Sequence, residues 1–150
     1  MRPLLPTLAL AVAVASAVLL PGVVAASTGA HDAYANFRTP SGNIGCGYSK
    51  FEGETALLRC EVASHLKPVP KQARRCVEGV WGRAVAMNPT GTVRPLCISD
   101  TVLEPTAPAL AYGHIWTRGG FTCSSQSTGL TCRNGSGHGW FLSRALSRLF

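Results

Sequence analysis

Four times in this chain an apolar residue stands two positions before a cysteine: Ile44 before Cys46, Leu58 before Cys60, Phe121 before Cys123 and Leu130 before Cys132. Side chains two apart on an extended strand share a face, so each pair sets a half-cystine beside a hydrophobe on one side of a strand. Joining such strands by cystines gives hairpins with apolar inner faces. Setting Cys46 opposite Cys60 tests this, because the same register pairs Ile44 with Val62 and Tyr48 with Leu58, and all six are apolar. The other side collects Gly45, Gly47, Ser49, Arg59 and Glu61, the alternation of a half-buried hairpin with residues 49–57 as its exposed tip.

A second hairpin system is written into residues 119–141. Gly119-Gly120, between Trp116-Thr117-Arg118 and Phe121-Thr122-Cys123, is a two-residue turn signal that sets Trp116 opposite Cys123. After Cys123, Gln126-Ser127-Thr128-Gly129 offers the next turn, and pairing Ser125 with Leu130 brings Cys123 opposite Cys132. Tyr112, His114, Trp116, Phe121, Cys123, Leu130 and Cys132 then share the core face, with the Trp116 indole against the disulfide. Cys76 and Cys97 remain as the third pair, around a hairpin of about residues 80–87 against 92–96 that turns at Asn88-Pro89-Thr90-Gly91 with type I composition. A metal site would need close pairs such as Cys-x-x-Cys, which the chain lacks, so the six cysteines are expected to be structural disulfides.

The beginning of the chain reads differently. Residues 1–26 hold one basic residue, Arg2, an apolar run from Leu8 to Leu20, the breaker Pro21-Gly22 and a small-residue end, Val24-Ala25-Ala26. That is the pattern of a secretory signal peptide cleaved after Ala26. Pro6 and Pro21 interrupt the apolar stretch, so no stable membrane anchor is expected after cleavage. Export leads to an oxidising compartment, consistent with an even number of cysteines, and a secreted, extracellular or envelope-associated location. Residues 27–36 are expected to form a flexible mature N-terminus and residues 37–150 a single disulfide-rich β domain. Residues 65–71 and 104–108 carry prolines and act as connectors. The C-terminal WFLSRALSRLF is read as a short strand turning into one or two helical turns, from the spacing of Leu142, Ala145, Leu146 and Leu149. The fold class is thus mainly β: a small disulfide-stabilised antiparallel hairpin and meander domain with a short C-terminal helical turn.

Several stretches together resemble a known family: residues 37–46 (FRTPSGNIGC), Leu58-Arg59-Cys60-Glu61, Trp81-Gly82, residues 97–101, residues 110–113, Gly119-Gly120-Phe121-Thr122-Cys123-Ser124-Ser125, and Gly137-His138-Gly139 followed by Phe141-Leu142-Ser143-Arg144. In order and with all six cysteines, they are similar to small secreted actinobacterial proteins known only as a domain of unknown function. The resemblance implies export and disulfides and brings no catalytic residue with it.

Catalytic chemistry is thinly represented. Of the four histidines, His31 and His65 fall in the expected flexible and linker segments and read as solvated. His114 falls on the expected core face opposite Ser125, as a packed imidazole bonded to a hydroxyl or carbonyl. His138 lies in Asn134-Gly135-Ser136-Gly137-His138-Gly139, where glycines permit close approach of a ligand and an imidazole can titrate near neutral pH. Its plainer role is a structural cap in a tight loop. A hydrolase would draw on Ser124, Ser125 or Ser143 with His138 and Asp100, yet the chain has no Gly-x-Ser-x-Gly elbow. His114 and His138 supply two metal ligands without an indicated third, and Asp100 with Glu104 is a close carboxylate pair in a turn-like segment. No metal, cofactor or catalytic set is expected.

After loss of Arg2, 13 basic residues face 7 acidic ones, a net of about +6. Lys67, Lys71, Arg74 and Arg75 cluster in a linker that leans on an anionic envelope polymer or is simply solvated, and nucleic acid is not an expected partner of an exported chain. Two functions follow: a non-catalytic binding or structural module of the cell envelope or extracellular space, acting on such a polymer or another secreted protein, or a small secreted hydrolase using His138. For the first, Tyr112, Trp116, His138 and Trp140 are the candidate ligand surface.

Overall fold

A computed structural model of the chain describes residues 33–72 and 75–150. The proposed signal peptide, residues 27–32 with His31, and Arg74 lie outside the described residues. Ten strands follow one another: β1 Ala33–Arg38, β2 Ile44–Lys50, β3 Leu57–Val62, β4 Val80–Met87, β5 Arg94–Ile98, β6 Ile115–Arg118, β7 Phe121–Gln126, β8 Gly129–Asn134, β9 Gly139–Leu142 and β10 Ser147–Leu149. They form two five-stranded antiparallel meanders, β1 to β5 and β6 to β10, each with strands in sequence order. The first hairpin has the expected register, Ile44 against Val62, Cys46 against Cys60 and Tyr48 against Leu58. So has the second, with Trp116 opposite Cys123, Ser125 opposite Leu130 and Cys123 opposite Cys132. Both Gly119 and Gly120 have positive φ, 56° and 87°, as a primed two-residue turn requires.

Packing explains the registers. The inner faces of the two sheets meet in one cluster that includes Phe37, Ile44, Tyr48, Leu58, Phe121 and Leu142. Trp116 closes it from β6, its ring 5.0 Å from Phe37 and 6.2 Å from Tyr48. The two cross-strand cystines lie in this interior with their Cα atoms 4.1 and 4.0 Å apart, close to the narrow spacing of a directly opposed antiparallel pair.

The third disulfide, Cys76–Cys97, differs in setting. It ties the segment before β4 to β5, the last strand of the first sheet. Cys97 is exposed and Cys76 half-buried, whereas the other four cysteines are 0% exposed. Thiol exchange requires a path to sulfur. A phosphine reductant without denaturant is therefore expected to open Cys76–Cys97 alone, leaving the other two bonds intact. Alkylation followed by peptide mass mapping reads this out, and labelling of all six cysteines at one rate would contradict it.

Three expectations change. First, β1 begins at Ala33, so residues 33–36, read as flexible, are paired with Gly47 to Lys50 on β2. Second, the C-terminal helical turn is absent: no helix occurs among the described residues, and β9 and β10 form a hairpin in register from Leu142–Ser147 to Trp140–Leu149. Ser143 decides this, because its Oγ accepts the Leu146 and Ala145 amides and its own N–H donates to Leu146 O at 2.9 Å, closing a turn where a helix would have started. Trp140 is completely buried and the Ser147 amide bonds to Lys67 O, so tertiary pairing prevails over helical spacing. Third, no backbone bond closes the turn at residues 88–91; the Gly91 amide donates to Ser136 Oγ of the β8–β9 loop instead.

The face of β2 and β3 read as solvent-exposed is covered as well. After β5 the chain returns across it as a strap. A Cβ on Gly45 would lie 2.6 Å from Val102 O, and one on Gly47 would lie 3.0 Å from Val102 Cγ1, so these glycines make room for the strap. Glu61, 1% exposed, accepts the Val102 amide at 2.9 Å and the Thr101 hydroxyl at 2.8 Å. Arg59 joins them, donating to Glu61 and to Asp100. Beyond the strap, Arg38 exchanges backbone bonds with Pro108 and Leu110, which leads the chain along the free side of β1 and on into the second sheet.

Candidate functional site

Strand directions gather the connections at two ends of the sandwich. At one end, three tight turns enclose a cleft of about 350 Å³. The first, between β1 and β2, is fixed by Thr39, whose amide donates to Ile44 O at 2.9 Å and whose hydroxyl accepts the Ile44 amide. The Gly42 amide donates to Thr39 O at 2.9 Å, and Gly42 itself has φ +68°, the left-handed conformation that turns the chain onward into β2. The second is the β7–β8 turn, residues 126–129, and the third is the Ser143 turn.

The cleft wall is rich in hydroxyl and amide groups: Asn43, Gln126, Ser127 and Thr128 line it, with Arg144 as its one charged side chain and Tyr112, 43% exposed, as its one aromatic ring. None of these six side chains has a hydrogen-bonding or ionic partner among the described residues. Their polar atoms are therefore available to a ligand, and the cleft contains neither a carboxylate nor a histidine. Such a wall can recognise a polar or anionic molecule by hydrogen bonds, one cation and one ring face, and offers no base to activate a nucleophile.

The residues read as a ligand surface do not come together. Tyr112 reaches the cleft, Trp116 is packed between the sheets, Trp140 is buried in the core, and His138 sits at the opposite end of the sandwich. His114, expected in the core, is exposed; its Nδ1 lies 3.3 Å from Tyr112 O while its backbone carbonyl accepts the Ser125 amide. The groups considered for hydrolysis are equally dispersed. Ser125 is buried, Ser124 lies on the outer face of β7, Ser143 holds its turn, and Asp100 is tied to Arg59 outside the first sheet. Among the described residues no group of three metal-ligating side chains occurs.

Among the described residues two carboxyls are shifted, both in the strap. The Arg59 guanidinium hydrogen-bonds and attracts Asp100, holding its carboxyl below the ordinary value, and Thr106 does the same for Glu104 through its hydroxyl and amide. Neither group lines the cleft, so these shifts belong to the anchoring of the strap.

At the far end, His138 is held by its main chain. Its amide donates to Asn134 Oδ1 at 3.1 Å and its carbonyl accepts the Asn134 amide at 2.9 Å. Asn134, 7% exposed, also donates from Nδ2 to Asn88 O and Gly91 O, joining the β8–β9 loop to the β4–β5 loop. The structural role expected of His138 is thus carried by Asn134. The sequence reading missed Asn43, Gln126, Arg144 and Asn134. Ser41-Gly42-Asn43 and Ser143-Arg144 stood in the stretches that carry the family resemblance, the one signal that pointed to the cleft.

No curated protein and no solved structure matches the chain. A family model matches residues 13–150, nearly the whole sequence and all six cysteines, and by it the chain belongs to the family of unknown function DUF6636.

Proposed function

We propose that this chain is an exported, non-catalytic binding module of the cell envelope or extracellular space, and that the cleft between the three turns seats its ligand. The observation that carries this reading is the row of unpartnered amide, hydroxyl and guanidinium groups on turns that hydrogen bonds already hold in place. Preorganised polar groups lose little freedom on binding. Three disulfides in a chain of this size agree with an oxidising location. The dispersal of His138, Asp100 and the serines favours binding over hydrolysis.

The test is sedimentation of the purified mature protein with isolated cell wall. Retention with no soluble fragment released is the expected result. Release of fragments would replace the binding reading by the hydrolase reading. Arg144→Ala and Tyr112→Ala are expected to weaken retention without lowering the melting midpoint, because both side chains are exposed and bond to no described residue.

A further inference from the structure

Glu104 is the last acidic residue of the sequence, and the stretch after it, which supplies the whole second sheet, carries Arg118, Arg133, Arg144 and Arg148. None of these four arginines has a carboxylate partner among the described residues; both ion pairs of the molecule's described part belong to Arg59 in the first sheet. An unbalanced cationic sheet in a protein with basic and acidic residues elsewhere is a feature the cleft does not explain. Only Arg144 lies in the cleft.

The outer face of this sheet is regular. One row crosses all five strands through Ile115, Ser124, Thr131, Phe141 and Arg148. The neighbouring row runs through Thr117, Thr122, Arg133, Gly139 and Phe150, the last pair joined by reciprocal backbone bonds. At ordinary strand spacing each row is roughly 19 Å long. Gly139 leaves the second row without a side chain between Arg133 and Phe150, and the Arg133 guanidinium lies over the Phe150 ring, 4.3 Å from its centroid. This contact, with the bond that Arg133 donates to Gly137 O at 3.2 Å, holds one guanidinium in place on the sheet. Together Thr131, Arg133, Phe141, Arg148 and Phe150 line a shallow hollow of about 300 Å³.

We propose that this outer face, distinct from the cleft, docks a strand of anionic polysaccharide. The acidic substituents meet Arg133 and Arg148, a sugar ring rests on Phe141, and the hydroxyls of Thr131 and Ser124 bond to ring hydroxyls. Charge complementarity selects the acid. The half-buried aromatic ring of Phe141 and the hydroxyl rows select a sugar chain over an acidic peptide, which has no sugar ring to stack. Ile115, 64% exposed, is the one strongly protruding apolar side chain of the two rows, whereas a lipid surface calls for several, so the sugar chain fits better.

The test compares the mature protein with two paired variants by isothermal titration. The probes are soluble polygalacturonate, its methyl-esterified uncharged form, and poly-glutamate. Polygalacturonate is expected to bind and the ester to bind weakly. Arg133→Gln with Arg148→Gln is expected to weaken polygalacturonate binding roughly five- to tenfold. The control pair Lys71→Gln with Arg75→Gln removes the same charge from the linker and is expected to change binding less than twofold. All four positions are exposed, and melting curves verify folding. Equal losses from the linker pair and the sheet pair would overturn the proposal. So would equal binding of the ester, tighter binding of poly-glutamate, or no binding of polygalacturonate.

Discussion

Glu61→Ala is expected to destabilise the protein by about 3 kcal/mol, within the range for removing one partner of a buried ionic network. The carboxylate has three donors in the structure: Arg59, the Thr101 hydroxyl and the Val102 amide. Alanine leaves the half-buried Val102 amide without its acceptor, and Arg59 keeps only its bonds to Asp100. Glu61→Gln keeps the shape and one acceptor, so it should cost less, roughly 1 to 2 kcal/mol. The damage should begin locally. Because the strap is held on β2 and β3 through Glu61, hydrogen exchange at the Val102 amide is expected to rise in both variants before the strands of the second sheet lose protection. Chemical denaturation gives the energies, and a Glu61→Ala protein as stable as its parent would refute this account of the strap.

Acid should act on the same contacts. The Asp100 carboxyl is held below its ordinary value in the folded protein, so its contribution is fully present above that value and is lost as pH falls through the lower, folded one. The sign is therefore one of loss on the acid side, below about pH 4. Glu104 moves the same way because Thr106 bonds to its ionised form. The strap is accordingly the part of the first sheet expected to loosen first in acid.

The hairpin registers were legible because they rest on a period of two that a one-residue slip would invert. Cys46 against Cys60 and Cys123 against Cys132 are each supported by apolar neighbours on the same face. What could not be read was any contact between segments distant in the chain. Gly45 and Gly47 looked like the small residues of a solvent face; they are small because the strap lies on them, and nothing in the local pattern names residues 101–104 as the occupant. The C-terminal stretch had helical spacing, yet its apolar side chains serve a hairpin because Trp140 and Leu142 are needed in the core. The cleft was illegible for the same reason. It exists where three turns meet that are about 15 to 100 residues apart, and each turn alone reads as ordinary turn chemistry.

Asn134 gives the sharpest case, since the loop that drew attention to His138 is organised by the residue at its other end. The Asn134 side chain accepts the Ser136 and His138 amides and donates to Asn88 O and Gly91 O, four bonds from one nearly buried group. Gly135 adds its amide to Pro89 O at 3.0 Å, so the loop is clamped onto the first sheet's β4–β5 loop. Asn134→Ala removes an acceptor from two amides and a donor from two carbonyls. At roughly 1 to 3 kcal/mol for each buried group left unpaired, with some rescued by water, the expected total is about 3 kcal/mol. That is a large share of the roughly 5 to 15 kcal/mol that holds a domain folded. His138→Ala should be mild by comparison, about 0.5 kcal/mol or less, because both bonds of His138 to Asn134 come from its backbone and survive the change. Asn134→Asp separates geometry from chemistry: it preserves the acceptor for Ser136 and His138 but turns an anion toward two carbonyl oxygens, so it should be at least as harmful as alanine. Melting midpoints of the three variants decide the matter. The expected order is His138→Ala nearest the parent and both Asn134 variants well below it; the reverse order would return the structural role to the imidazole.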